Sequence, residues 1–234
     1  MTLLVRTWNV FHGNAVPPER RGYLREMVRL VTADGPDLVC LQEVPVWALR
    51  RLGGWSGMTA AGAVAARPRL LSSAVGGAIT RLHQGMLRSA LTGQANAILV
   101  STRLRILDQQ SLVVSRRGEG ERRVCQALRI GDLGVVGNEH VTSAHADEQF
   151  LRAATFVRDL GQPSLLCGDA NVAPDESRIY EQQRAWGFSA PAPGIDQILV
   201  CGLPSSRPQI WSDERRRVDG RLLSDHAPVE LRVG

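Results

Sequence analysis

The sequence predicts an α/β layer fold, and three observations carry that prediction. Apolar runs of strand length recur along the chain, the first two flank a segment of helical periodicity, and a second amphipathic helix falls in the later half. Strand, helix, strand in succession opens a layered architecture in which helices cover sheet faces. With 234 residues, no internal repeat and no linker-like segment, one domain spanning 1–234 is expected.

LLVRTWNV (3–10) reads as a strand, apolar through Val5, anchored by Trp8 and ending near the turn-like HGN at 12–14. PPERRGYLREMVRLVTADG (17–35) reads as a helix: Pro17 and Pro18 stand at its start, Leu24, Met27, Val28 and Val31 recur at helical spacing, and Gly35 with Pro36 stops it. PDLVCLQEV (36–44) is a second strand, its continuous apolar run suited to burial on both faces, with Glu43 at its far end. Residues 53–77 are rich in Gly and Ala without a clear period and read as loop; Pro45 to Gln94 is the stretch that would carry substrate-recognition loops.

Beyond it, ANAILVSTRLRIL (95–107) predicts a strand bent at Ser101 and Thr102. SLVV (111–114) and VCQALRI (124–130) are strands joined by the polar turn SRRGEGERR, and LGVVGNEH (133–140) is another with a polar end. DEQFLRAATFVRDLG (147–161) is an amphipathic helix with Phe150, Leu151, Ala154 and Val157 on one face and Gly161 just past its end. PSLLCGDAN, GIDQILV, PQIWS and APVELRV complete the strand set.

A hydrophobic content of 44% and a charged content of 22% exclude a disordered tail or a fibre. The opening MTLLVRTWNV is too brief and polar for a secretory segment, and no apolar run reaches the roughly 18 residues of a membrane helix. A cytoplasmic protein with no membrane contact is expected; no feature points to a protein partner, so a monomer is expected too. Cys40, Cys125, Cys167 and Cys201 are scattered singly in apolar segments, which predicts four buried free thiols rather than a zinc site. The 28 basic residues, all arginine, outnumber 23 acidic ones, and the net charge of +5 permits a polyanionic substrate.

Polar residues sit where the strands end. In GDANVAPDES, Asp169 and Asn171 leave an extended chain on one side and Gly168 permits a sharp exit. Asp and Asn are also favoured in turns and at helix N-caps, so the pair alone fits an active-site rim and a turn equally. The repetition decides: Asn9, Glu43, His140, Asp169 with Asn171, Asp196, and Asp225 with His226 make six such placements. Buried charge costs on the order of several kcal/mol unless paired or metal-bound, so converging strand ends would supply hard oxygen ligands, two imidazoles and carboxylates to orient them. Those parts suit Mg²⁺-assisted phosphoryl chemistry.

The series TWNV, LQEV, GNEH, GDAN, GIDQIL and SDHAPV, in this order, resembles the endonuclease/exonuclease/phosphatase superfamily from about Arg6 to the C-terminus. That superfamily includes deoxyribonuclease I, abasic-site endonucleases, inositol-polyphosphate phosphatases and sphingomyelinases. The resemblance implies a four-layer sandwich, two packed mixed β-sheets flanked by helices, with the site at one end of the sheets. It implies Glu43 as the principal ligand of Mg²⁺ or Mn²⁺, with Asn9 and Asp225 helping to hold the metal or its waters. Asp169 would orient or deprotonate the attacking water or assist the leaving oxygen, and Asn171 would donate to a phosphate oxygen. His226 would act at the scissile phosphate, oriented by Asp196 through its other ring nitrogen, and His140 would be the second imidazole, accompanied by Asn138.

Arg123 is the candidate phosphate-facing arginine, with Arg122 the alternative register, because alternation lets only one of them face the site. Arg215, Arg216, Arg217 and Arg221 precede SDH, either as a solvated charged loop or as a grip on substrate phosphates. Where many family nucleases carry a tyrosine near the phosphate, neither Tyr23 nor Tyr180 fits, and Asn96 stands nearest as a substitute donor. His12, His83 and His145 read as loop or surface residues, although His12 follows Asn9 closely enough to line the same mouth. A binding module that had lost the chemistry would lack an essential group, and none is missing. The expected activity is divalent-metal-dependent phosphodiester hydrolysis, foremost of DNA; the alternative is a phosphatase or diesterase acting on a small molecule, phospholipid or inositol phosphate.

Overall fold

The computed structural model describes residues 2–19, 21–67 and 92–234. Among them, six strands form sheet 1 in the order β11 (Gln209–Ile210), β14 (Val229–Val233), β1 (Leu3–Asn9), β3 (Leu38–Val44), β5 (Gln94–Val100) and β4 (Thr59–Ala66). Five form sheet 2, in the order β10 (Asp196–Cys201), β9 (Ser164–Asp169), β8 (Gly134–His140), β7 (Val124–Ile130) and β6 (Ile106–Val113). Both sheets are mixed: β1 runs parallel to β3 and β8 parallel to β9, while the other pairings are antiparallel.

Side-chain alternation stacks these sheets into a sandwich. Inward-facing Val5, Leu38, Cys40 and Ile98 of sheet 1 meet Leu128, Val136, Leu165 and Ile198 of sheet 2 in one buried cluster. The outer face of sheet 1 is covered by α1 (Leu24–Thr32), whose Leu24, Met27, Val28 and Val31 are buried against Trp8, Val39 and Leu41, and by α2 (Leu49–Ser56). On sheet 2 the cover is α3 (Ala146–Leu160), with Phe150, Ala153, Ala154 and Val157 packed on Val135, Leu166 and Leu199, and α4 (Ile179–Ala185), with Tyr180 against Phe150. Each fully buried aliphatic or aromatic side chain contributes about 1.5–3 kcal/mol, and three such clusters account for the four layers. The continuous apolar run of β3 is buried on both faces, as its composition predicts. All four cysteines are buried free thiols.

Several expectations are corrected. The first helix starts at Leu24 and not at Pro17, because Ala15–Val16 (β2) pairs with β13 (Arg221–Leu223), which in turn pairs with β12 (Arg217–Val218). ANAILVSTRLRIL is not one bent strand: its first half is β5 of sheet 1, residues 101–105 are a turn, and Ile106 and Leu107 continue through Ser111–Val113 as β6 of sheet 2. The Gly- and Ala-rich stretch read as loop contains the end of α2 and β4, where small side chains let Gly62 sit under Leu49. The remainder of that stretch, residues 68–77, and His83 lie outside the described residues. PQIWS yields only the two-residue β11, and α4 is an element without a sequence counterpart above.

Candidate active site

Strand register assembles the centre of the site. His140 on β8 pairs with Asp169 on β9, and Asp169 pairs with Asp196 on β10, so the three side chains share one row at the carboxyl end of β8 and β9. Gly168 makes this row possible: a Cβ there would stand 2.1 Å from the carbonyl oxygen of Glu139. From the facing sheet Asn9, at the end of β1, donates through Nδ2 to Asp169 Oδ2 at 2.9 Å. Asp169 Oδ1 accepts from the backbone N–H of Asn171 at 3.0 Å.

Glu43 enters by a different route. Strict alternation would place it on the outer face with Leu41, but its φ is +54° and the β3–β5 register shifts between Leu41 and Val44. This irregularity turns the carboxylate into the mouth, where Oε2 lies 3.4 Å from His12 Nε2 and Oε1 lies 3.8 Å from His140 Nε2. Phe11, His12, Asn171 and Ser224 also have positive φ, so non-glycine backbone strain gathers around this one opening. Ser224 fixes the SDH loop: its Oγ donates to Asn9 O at 2.7 Å and accepts from His226 N at 3.1 Å.

His226 Nδ1 meets Asp196 Oδ2 at 2.9 Å, while Nε2 points toward Asp169 Oδ2 at 3.8 Å and Asp225 Oδ1 at 4.0 Å. Burial opposes its positive charge, but the Asp196 hydrogen bond and the surrounding carboxylates win and lift its pKa to about 9. His226 is therefore an imidazolium at neutral pH. His140 is the reverse case: burial, then the Arg123 guanidinium, hold it well below the ordinary histidine range. Its Nδ1 receives Arg123 Nη1 at 2.9 Å and Gln94 Nε2 at 3.0 Å. A guanidinium only donates, so this nitrogen accepts and the single proton sits on Nε2, 3.5 Å from Asp169 Oδ2.

The carboxylates are short of positive charge. Burial raises Glu43 to about 7, with Asp169 and Asp225 pushing the same way against Arg123 and Asn9. Burial and the charge of Asp196 raise Asp169 to about 6. An oxygen-rich cluster with pKa values raised by burial and by one another has the chemistry of a divalent-cation site, and Glu43, with Asn9 and Asp225 at hand, fits that role. Asp169, Asp196 and His226 also offer one ligand atom each within 4.8 Å of one another. Within that trio His226 Nδ1 is taken up by Asp196 at 2.9 Å, leaving Nε2 directed to Asp169.

Of the residues picked from sequence, Asn9, Glu43, His140, Asp169, Asn171, Asp196, Asp225 and His226 converge, with Asp225 half exposed at the rim. Asn171 is held by its Nδ2 on Val141 O and by Ser143 Oγ on its Oδ1, both at 2.9 Å. Arg123 reaches the site, though onto His140, whereas Arg122 turns away to the carbonyls of Val64 and Ala65. Asn96 and Asn138 do not join the mouth. Asn96 donates to Val124 O at 2.9 Å, and Asn138 bridges the sheets to Leu41 O and Ala97 O at 3.0 Å while accepting from Gln42 Nε2 at 2.7 Å, so both satisfy buried backbone in its floor. Arg215 pairs with Glu230, and Arg216 donates to the carbonyls of Leu223, Ser224 and His226; neither stands as a free phosphate grip. Gln94, Thr142, Ser143 and Arg216 serve the site without any strand-end motif to mark them, and His12 lines the mouth.

The sequence matches the endonuclease/exonuclease/phosphatase family over residues 7–226. No curated protein matches it in sequence. Among solved structures, a functionally unknown conserved protein from Enterococcus faecalis V583 superposes with a TM-score of 0.72 at 18% identity, covering 99% of both chains. A mannosyl-6-phosphatase of Bacteroides thetaiotaomicron VPI-5482 gives 0.68 at 16%, again over 99% of each chain. TDP2 of Caenorhabditis elegans gives 0.65 at 18%, covering 100% of this chain and 74% of its own. These likenesses establish the fold. Among the described residues no helix is long and apolar enough to cross a membrane.

Proposed function

The chain belongs to the endonuclease/exonuclease/phosphatase family, and on that premise we propose that it is a Mg²⁺- or Mn²⁺-dependent phosphodiesterase acting on nucleic acid, foremost DNA. The observation that supports this most is Asp169, held by Asn9 and Asn171 between a neutral imidazole and a charged one, beside the undercompensated Glu43. Asp169, with a pKa near 6, orients the attacking water and takes its proton. The His226 imidazolium, fixed by Asp196, and the neutral Nε2–H of His140 donate to phosphate oxygens as negative charge builds. Asn171 has a second amide N–H for the same purpose. A divalent ion held by Glu43, with Asn9 and Asp225 contributing, would neutralise phosphate charge.

The nucleic-acid assignment rests on a net charge of +5 and on exposed Arg116, Arg117 and Arg217. A second reading, a small sugar-phosphate monoester, draws on the mannosyl-6-phosphatase likeness and on the arginines committed to internal pairs. A cleavage panel separates them: plasmid, single-stranded and abasic DNA, RNA, and small phosphate mono- and diesters, each with Mg²⁺, Mn²⁺ or chelator. Metal-dependent nicking that weakens steeply with salt is expected. Monoester hydrolysis without DNA cleavage would promote the second reading, and no metal-dependent hydrolysis of any phosphoester would overturn both.

A further inference from the structure

We propose that Glu119, Gln149, Thr142 and Arg123 form a positioning relay that holds His140 in its Nε2–H tautomer, so that the loop 115–123 sets the hydrogen-bond polarity of the mouth. This deepens the catalytic reading of His140 given above and rests on it for its consequence, though not for its geometry.

The relay is continuous. Arg123 Nη1 donates to His140 Nδ1 at 2.9 Å, and Arg123 Nε approaches Thr142 Oγ1 at 3.4 Å. Thr142 N donates to Gln149 Oε1 at 2.9 Å, and Gln149 Nε2 donates to Glu119 Oε2 at 3.2 Å. Glu119 ends the line and is itself pinned, by Arg116 N and by Arg152 Nη2, each at 2.9 Å. Gln149 is fully buried, so its amide has no water to replace a lost partner. Glu121 Oε2 stands 3.6 Å from Arg123 Nη2 and restrains the other arm of the guanidinium.

Polarity runs outward from Arg123, which donates to His140 on one side and to Thr142 on the other. Arg123 and Gln94 both donate to Nδ1, which leaves the proton of the neutral ring on Nε2, on the side of Asp169 and Glu43. With the donors displaced, the ring is free to carry its proton on Nδ1, and Nε2 then presents a lone pair to an anionic phosphate. A lone pair in that place repels the substrate oxygen that an N–H would bind. Glu119, Gln149 and Thr142 touch neither substrate nor reacting atoms, so they are positioning residues.

The test is histidine side-chain ¹⁵N NMR on the whole chain without substrate, paired with steady-state hydrolysis of bis(p-nitrophenyl) phosphate with Mn²⁺. The wild-type spectrum is expected to show His140 as the Nε2–H tautomer at neutral pH. Gln149→Met and Thr142→Val are expected to give mixed tautomers and to lower kcat by about ten- to a hundredfold with KM little changed. Glu119→Gln, which keeps an acceptor on the loop, is expected to retain most of both signals, and Glu119→Ala to lose them. An Nδ1–H or doubly protonated His140 in the wild type would overturn the proposal even if every variant failed to fold. So would wild-type tautomer and kcat in folded Gln149→Met and Glu119→Ala. A correct tautomer pattern in a protein that hydrolyses no phosphoester would sink the functional reading and leave the relay standing.

Discussion

β1 has a charged cluster on its outer face, centred on the buried Arg6, and another at its end. Outside, the Arg6 guanidinium binds Asp34 at 2.5 Å and Glu230 at 2.8 Å, Arg215 joins Glu230 at 2.8 Å, and both arginines lie over the Trp211 ring at 4.9 and 3.5 Å. Asp34 is held below its ordinary value by the Arg6 hydrogen bond, and Glu230, despite burial, by Arg215, Trp211 and Arg6. At the mouth, three residues along the strand, the carboxylates have pKa values raised by burial. The outer cluster is a finished set of ion pairs that stabilises the fold. At the mouth Arg123 and His226 offset the carboxylate charge only in part, which is the setting of a site that accepts a cation.

The largest expected effect is on chemistry. Asp169→Asn and His226→Ala should each lower turnover by about 10²- to 10⁴-fold while leaving the far-UV spectrum and cooperative melting intact. Full turnover in either variant, measured on the best substrate of the cleavage panel, would mean the mouth is not the reaction site. Next comes Arg216→Ala. Its Nη1 holds His226 O at 3.0 Å and Ser224 O at 2.8 Å, so its loss should release the SDH loop and cost about tenfold or more in kcat. Trp8 Nε1, also on His226 O at 2.9 Å, keeps that loss from being complete.

The comparison is sharpest in stability, where the two clusters should respond with opposite signs. Glu43→Gln, measured in chelator at pH 8, should raise stability by on the order of 1–3 kcal/mol, because it removes a buried charge that Arg123 and Asn9 compensate only in part. Glu230→Gln should lower stability by a similar order, because it leaves Arg6 and Arg215 to share Asp34 as their one carboxylate. Glu43 moves from an ordinary 4.5 to about 7 and Asp169 from 3.8 to about 6, so the folded state binds those protons more tightly and loses stability as pH rises through that window. His226, raised from 6.5 to about 9, stabilises fully below 6.5 and loses that contribution as pH climbs to 9. His140, held well below 6.5, acts with the opposite sign and destabilises the fold as pH falls below 6.5. Above pH 7 Glu43 and His226 act together: melting in chelator should fall from pH 7 to pH 9, and added Mn²⁺ should reverse much of that fall. A flat profile in chelator, or the same sign for both Gln variants, would break the contrast.

What could be read from the sequence follows from how each residue is placed. Asn9, His140, Asp169 and Asp196 are legible because regular alternation ends a buried strand with one polar side chain on a known face. Glu43 has the right type and position, but its side chain arrives through a bulge, which no periodicity announces. Asn96 and Asn138 show the limit in the other direction: a polar residue at a strand end can also pay a backbone debt between two sheets, and only the facing carbonyls distinguish the cases. Gln94 and Gln149 were invisible because an uncharged amide inside an apolar context has no pattern of its own. α2 and β4 were hidden by small residues, whose weak periodicity comes from close approach of helix to sheet rather than from large apolar anchors.

The smallest expected effect is that of Arg215→Ala, and it separates the two clusters most cleanly. The run Arg215 to Arg217 invites a reading as a phosphate grip, since it lies a few residues before His226. The side chains divide instead: Arg216 supports the SDH loop from within, while Arg215 turns to Glu230 and Trp211 on the outer face. Arg215 is 39% exposed, so water and salt screen its pairs, and Arg6 still holds both Asp34 and Glu230 when it is gone. Its removal should therefore cost less than about 1 kcal/mol in denaturant unfolding and leave kcat unchanged. The slope of DNA affinity against log salt should also stay the same, because an arginine paired with a carboxylate away from the mouth releases no phosphate counterion. A slope flattened by about one unit would place Arg215 on the substrate and join the two clusters into one binding surface.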